Sequence, residues 1–163
     1  GIKAVMEMQF ADFVSSGFNP IVNLLAKSNY RWNQNADVVV RMPCGAGVGA
    51  GPFHSQTNEA WFTKTPGLKV IYPAFPADAK GLLCASINDP NPVLFFEHKA
   101  LYRSIYQDVS EDYYTIEIGK ASLLKEGNEK KLRNFILKHN GREFQPNKFL
   151  QIQQCSCYYW GFG

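Results

Sequence analysis

Leu68-Lys69-Val70-Ile71-Tyr72, then Pro76-Ala77-Asp78-Ala79-Lys80-Gly81-Leu82-Leu83-Cys84-Ala85-Ser86-Ile87, then Pro92-Val93-Leu94-Phe95-Phe96 is the stretch on which the fold turns. The outer runs are short, apolar and rich in β-branched or aromatic residues, the composition of strands buried on both faces of a sheet. The middle run opens on Pro76, carries Ala79, Leu82, Leu83 and Ile87 inward, and stops at Asn88-Asp89-Pro90, which reads as a helix. Strand, helix and strand in that order predict a crossover between parallel strands. Upstream, Ile2-Lys3-Ala4-Val5-Met6-Glu7-Met8 and Asp37-Val38-Val39-Val40-Arg41 read as two more strands of the same kind. Between them Asn19 and Pro20 give an N-cap and a first-turn proline, with Ile21, Leu24 and Leu25 at helical spacing. The predicted class is α/β, a mostly parallel sheet flanked by helices.

Length and composition agree with that class. A chain of 163 residues, 45% hydrophobic and 14% aromatic, is enough for one compact domain, which buries roughly 70% of the surface its unfolded chain exposes. A collagen-like repeat, low complexity and a disulfide mini-scaffold are excluded. No apolar run approaches the ~20 residues of a membrane span, and the N-terminus lacks the basic-then-apolar order of a signal peptide. The expectation is a soluble, non-exported chain without a membrane span. Cys44 and Cys84 stand alone, and Cys155 with Cys157 lacks a second Cys/His pair at metal-ligand spacing, so the thiols read as unpaired.

The net charge of +3 is unevenly distributed. Residues 1–127 hold 11 Lys+Arg against 12 Asp+Glu, and residues 128–163 hold 6 against 2. Residues 1–127 show no interleaving of basic and aromatic residues, so nucleic acid is not an expected partner. Residues 128–163 follow no period of 2 or 3.6 for long and are expected to be a poorly ordered tail. The boundary near Gly127 divides the chain into a domain and a tail whose composition resembles translation in a shifted frame or an unrelated terminus.

Gly45-Ala46-Gly47-Val48-Gly49-Ala50-Gly51 follows the second strand. As a dinucleotide fingerprint it fails, because Ala50 stands where the third glycine belongs and Pro52 follows. It also lacks the Lys-Ser/Thr ending of a P-loop. What remains is a backbone able to turn sharply and approach a neighbour closely. His54 ends this loop, beyond a strand's carboxyl end, where open α/β sheets bind ligands. Imidazole titrates nearest neutrality, so proton transfer is one reading of His54 and a backbone-bonded loop histidine the other. Phe10 and Phe13 read either as core or as a stacking platform for a flat heterocycle. Asp89 and Asn91 read as a turn or as oxygen ligands of a hard cation. His98 and His139 default to the surface.

Five blocks carry a resemblance: Glu7-Met8-Gln9-Phe10-Ala11-Asp12-Phe13, the glycine loop ending His54-Ser55-Gln56, Thr65-Pro66-Gly67-Leu68-Lys69-Val70, Asp78-Ala79-Lys80-Gly81-Leu82-Leu83, and Phe95-Phe96-Glu97-His98-Lys99-Ala100-Leu101-Tyr102-Arg103. In this order they resemble the β subunit of the E1 component of thiamine-diphosphate-dependent 2-oxo acid dehydrogenases, the branched-chain 2-oxoisovalerate type first and the pyruvate type next. The match covers residues 1–127 and implies the pyrimidine-binding domain shared with transketolases. It implies oxidative decarboxylation of a 2-oxo acid with transfer of the acyl group to a lipoyl-bearing E2. An E1 α subunit or α-like domain would hold the diphosphate through Mg2+, in an α2β2 assembly or a dimer of fused chains. The compartment implied is the cytoplasm of a bacterium or the mitochondrial matrix of a eukaryote.

Carried over by residue, the resemblance makes His54 the proton-handling histidine and Phe13 the aromatic packing on the aminopyrimidine, with Met8 and Gln9 in the same cofactor-lining block. Some members of the family also hold a structural K+, mainly through backbone carbonyls; the matching positions here are Ala36, Val38, Val39, Ser86, Asp89 and Asn91, and the substitutions at Ala36 and Ser86 need not abolish such a site. Two departures matter. The family's glutamate that bonds the pyrimidine nitrogen lies upstream of the block beginning at Glu7, before residue 1. The Gly-Asp-Gly…Asn diphosphate motif is absent, as a partner-supplied motif would be. The expectation is a fragment inactive alone. Its rivals are a non-catalytic remnant or interaction module, or another thiamine enzyme such as acetoin dehydrogenase or deoxyxylulose-phosphate synthase.

Overall fold

The computed structural model describes residues 2–120. The tail expected over residues 128–163, with His139, Cys155 and Cys157, lies outside them, as does the expected domain boundary near Gly127. Strands β1 (Ala4–Glu7), β2 (Val38–Cys44), β3 (Lys69–Ile71) and β4 (Val93–His98) form a sheet in the order β1-β2-β4-β3, every neighbouring pair parallel. The α/β class read from the sequence is the one observed.

Alternation along the central strands builds a core on each face. Val40, Met42 and Cys44 of β2 join Leu94 and Phe96 of β4 and Val70 of β3 on one face, where Ala11, Val14, Ile21, Ala26 and Phe62 cover them. On the other face Val39, Val93, Phe95 and Ile71 pack against Leu82, with Leu83, Ile87, Ile116 and Ile118 at the margin. Leu82, Leu83 and Ile87 come from α2 (Pro76–Asn88), the helix predicted between the third and fourth strands. Burying each Phe, Leu or Met side chain of this set contributes about 1.5–3 kcal/mol.

Two expectations need correction. The first helical segment begins well before Asn19. It runs over residues 11–32 as a 3-10 turn (Ala11–Gly17), a π turn (Pro20–Leu24), a second 3-10 turn (Leu25–Lys27) and the α-helix α1 (Ser28–Trp32). Asn19 already has helical backbone angles, and its Oδ1 accepts from Asn23 Nδ2 at 2.6 Å instead of capping. Pro20 supplies no N–H and crowds the preceding turn, and the widened π turn accommodates it inside the segment. Leu24 accordingly points outward, 54% exposed, while Ile21 and Ala26 are buried. Asn33, left-handed at φ 52°, ends the run.

The second correction concerns β1, which was expected to be buried on both faces. All four of its residues are exposed, because β1 is an edge strand paired only with β2 among the described residues. Its Glu7 joins a charged network on the α2 face. The Arg41 guanidinium grips the Glu97 carboxylate with two bonds, Nε to Oε1 at 2.6 Å and Nη2 to Oε2 at 2.8 Å, and reaches Glu7 Oε2 at 3.0 Å. The Tyr102 hydroxyl donates to Glu97 Oε2 at 2.6 Å. The fork is the bidentate geometry in which Arg and carboxylate pair best. It ties β1, β2 and β4 together from the middle of β2.

Cys44 closes β2 inside the first core, its thiol donating to the Tyr72 hydroxyl at 3.1 Å. Burial pushes this thiol up to about 11, only partly opposed by the Tyr72 bond. A folded-state pKa above the unfolded one means a contribution fully present at neutral pH and lost as pH climbs from the ordinary thiol range to about 11. Stability in denaturant is expected to fall between pH 9 and 11 with a Cys44 share of at most about 1.4 kcal/mol per pH unit. Cys44→Ala should flatten that decline. An identical pH profile in both proteins would remove Cys44 as its cause.

Candidate functional site

The site grows from the loop that leaves the carboxyl end of β2. Gly45, Gly47, Gly49 and Gly51 all have positive φ, between 71° and 109°, the region that alternating glycines make accessible. Gly45 has a second reason to be glycine. A Cβ there would stand 2.3 Å from Nε2 of His98, whose ring lies against the loop. The loop returns through a short 3-10 turn, Pro52–His54, and closes where the Gly45 N–H donates to the Gln56 carbonyl at 2.9 Å.

His54 sits at the end of that return, half-buried, with its backbone held from two directions. Asp12 Oδ1 accepts from the N–H groups of Ser55 at 3.1 Å and Gln56 at 3.0 Å. Lys99 Nζ donates to the His54 carbonyl and lies 4.3 Å from the centre of the Phe10 ring. Asp12 and Lys99 are both buried, so these charge-assisted bonds are shielded from water and stronger than neutral ones. The imidazole itself packs edge-on to two rings, Phe13 at 5.5 Å and Phe10 at 5.7 Å between centroids, each at 76°. Among the described residues neither ring nitrogen of His54 takes part in a hydrogen bond. The arrangement fixes the peptide and leaves the imidazole nitrogens available.

Phe13 keeps 44% of its surface exposed beside His54. A half-exposed aromatic ring can stack on a flat heterocycle. Of the residues expected at a cofactor, the structure thus brings Phe13 and His54 together. Met8 packs against the first core with its Cε toward Gly17, and Gln9 is exposed.

The six residues expected around a cation lie at the opposite, amino end of the strands. The Ala36 carbonyl accepts from the Val38 N–H at 2.9 Å, and Val38 and Val39 open β2 opposite Ala4 and Val5. Ser86 Oγ donates to the Leu82 carbonyl at 2.6 Å. Asp89 Oδ1 accepts from Asn91 N at 2.9 Å and Nδ2 at 2.8 Å, the side-chain turn its position suggested.

Asp12 and Lys99 are the members sequence reasoning missed. Asp12 carries one signal, an acid in the first turn of a helix beside Phe13; Lys99 carries none, since its partner is a backbone carbonyl 45 residues away. His98 was expected at the surface. It is half-buried instead, its ring stacked at 14° on Tyr72, 6.4 Å away, with Nδ1 accepting from Ala100 N at 3.3 Å. That bond places the neutral ring's proton on Nε2.

The glycine loop sets His54 and Phe13 at the carboxyl edge of a parallel sheet, where open α/β sheets as a class bind ligands. The family model for the pyrimidine-binding domain of transketolases matches residues 1–104, and the chain belongs to that family. It is 47% identical over 131 residues to the 2-oxoisovalerate dehydrogenase subunit beta of Bacillus subtilis, covering 79% of this chain and 40% of that protein. It is 45% identical over 132 residues to the mitochondrial 2-oxoisovalerate dehydrogenase subunit beta 2 of Arabidopsis thaliana, covering 79% and 37%. Against the pyruvate dehydrogenase E1 component subunit beta of Staphylococcus aureus it is 44% identical over 131 residues, covering 79% and 40%. The chain spans about two fifths of the length of these relatives. The resemblance to E1 β subunits is borne out.

Proposed function

We propose that this chain is the pyrimidine-binding part of an E1 β subunit and acts in the oxidative decarboxylation of a 2-oxo acid, branched-chain 2-oxoisovalerate first and pyruvate second. The observation that carries this reading is the His54–Phe13 pair, an available imidazole beside a half-exposed aromatic ring past the carboxyl end of β2. Both features suit thiamine diphosphate. When bound, the cofactor supplies the carbon nucleophile and the electron sink for loss of CO2. Phe13 would pack on its aminopyrimidine ring, with Gln9 and Met8 in the same lining block.

His54 would move the proton. A ring nitrogen free of other bonds can donate to the substrate oxygen as negative charge develops there and take the proton back as the acyl group leaves for a lipoyl arm on E2. Asp12 and Lys99 hold the His54 peptide through Ser55, Gln56 and its own carbonyl, so the imidazole is positioned from its backbone. The diphosphate and its Mg2+ fall to an E1 α subunit or α-like domain. The assembly is an α2β2 tetramer or a dimer of fused chains, in bacterial cytoplasm or the mitochondrial matrix.

The 163-residue chain alone is expected to release no CO2 from 2-oxoisovalerate or pyruvate with thiamine diphosphate and Mg2+. An assembled α/β enzyme containing these residues should decarboxylate both, 2-oxoisovalerate faster. Turnover by the chain alone would sink the requirement for a partner, and an inactive, cofactor-free assembly would sink the reading itself.

A further inference from the structure

The amino end of the sheet is already supplied with positive charge. Lys3, just before β1, donates from Nζ to the Asp89 carbonyl oxygen at 3.2 Å and stands 3.7 Å from Asp37 Oδ2. Lys69, the first residue of β3, donates from Nζ to Asp89 Oδ2. The remaining carboxylate oxygen of Asp89 is occupied by Asn91, and the Ala36 carbonyl by the Val38 N–H. Two ammonium groups therefore face two carboxylates across strands β1 and β3, the start of β2 and the turn between α2 and β4.

This arrangement does not fit the K+ that some members of the family hold at the positions matching Ala36, Val38, Val39, Ser86, Asp89 and Asn91. One of the oxygens such an ion would use, the Asp89 carbonyl, is engaged by Lys3, and another, the Ala36 carbonyl, by a backbone N–H. A further cation would be placed beside two ammonium groups whose charge Asp37 and Asp89 already balance, and like charges repel. Lys3 and Lys69 arrive from opposite edge strands and converge on one residue, which is what a structural ion would do from its centre.

We propose that the ammonium groups of Lys3 and Lys69, meeting at Asp89 beside Asp37, take the place of the structural K+ and hold the amino end of this sheet together without the ion. The inference rests on family membership and the geometry at Asp89, and is independent of the role given to His54.

Thermal unfolding of the 163-residue chain in KCl and in choline chloride at equal ionic strength tests it. The wild-type midpoint is expected to be the same in both salts within about 1 °C. Lys3→Met, which removes the ammonium and keeps the chain length, is expected to lower the midpoint in choline chloride and to recover about 3 °C or more as K+ is added, because binding to the folded state alone raises Tm. A wild-type midpoint that rises with K+ by that amount overturns the proposal, and that comparison needs no variant. So does a Lys3→Met protein indifferent to K+. Neither result bears on decarboxylation, which is read separately.

Discussion

His54→Ala in the assembled enzyme is expected to lower turnover about 10²–10⁴-fold, the range for a positioned general acid or base, while thiamine diphosphate affinity changes little. The imidazole touches Phe10 and Phe13 only edge-on, so removing it takes away little contact area, and the loop around it is held by Asp12 and Lys99 through backbone groups that alanine retains. A transition-state role therefore separates from a binding role: kcat falls and the cofactor's dissociation constant stays. Phe13→Ala should do the reverse, weakening cofactor binding more than the rate with saturating cofactor. Equal losses of both quantities in His54→Ala would demote His54 to a structural element of the loop. Cofactor affinity by fluorescence titration and kcat by CO2 release settle the split.

Gly67→Ala is expected to destabilise the folded chain by about 3–4 kcal/mol, a large part of a single domain's stability. Gly67 lies in the turn before β3 at φ +91°. A Cβ there would stand 1.8 Å from the Ala26 carbonyl oxygen and 3.3 Å from its Cα. Left-handed backbone costs a residue with a Cβ about 1–2 kcal/mol, and forcing an extra carbon into filled space costs about 1–3 kcal/mol more. The obstacle is backbone, so no rotamer change relieves it. Relief requires the first helical segment to move off the sheet, uncovering Val70 and Leu94 beneath it. Chemical denaturation measures the effect, and a loss below about 0.5 kcal/mol would mean the turn and the segment are not packed as described.

The parts of the fold legible in the sequence are those set by local patterns. Residues 68–96 carry their own punctuation, with Pro76 opening α2 and Asn88-Asp89-Pro90 closing it, and the structure follows it. The start of the first helical segment was hidden because Asn19-Pro20 is a strong local signal overridden by packing. Ala11 and Val14 are fully buried, and that burial extends the helical segment back past the proline. Exposure of β1 was equally illegible, since its apolar run does not say how many neighbours it will have. At the site, the glycine loop and His54 were visible as a pattern with two readings, and only the family resemblance separated them. Asp12 and Lys99 escaped because both act on backbone groups, which leave no residue signature at the partner's position.

The strand order β1-β2-β4-β3 has a consequence for the sequence of events in which the molecule assembles. β3 does not pair with β2; it pairs with β4, which lies between them. A growing polypeptide therefore makes Lys69–Ile71 before the strand that will give it a partner, and that segment must wait, along with the lower edge of β2, until Val93–His98 has been synthesised. Among the described strands β4 is the keystone, made last and inserted between β2 and β3. Any shortened version ending before residue 93 would retain only the β1–β2 ribbon, with hydrophobic strand edges open to pairing with other copies. Productive closure of this sheet thus waits until residues through His98 have emerged.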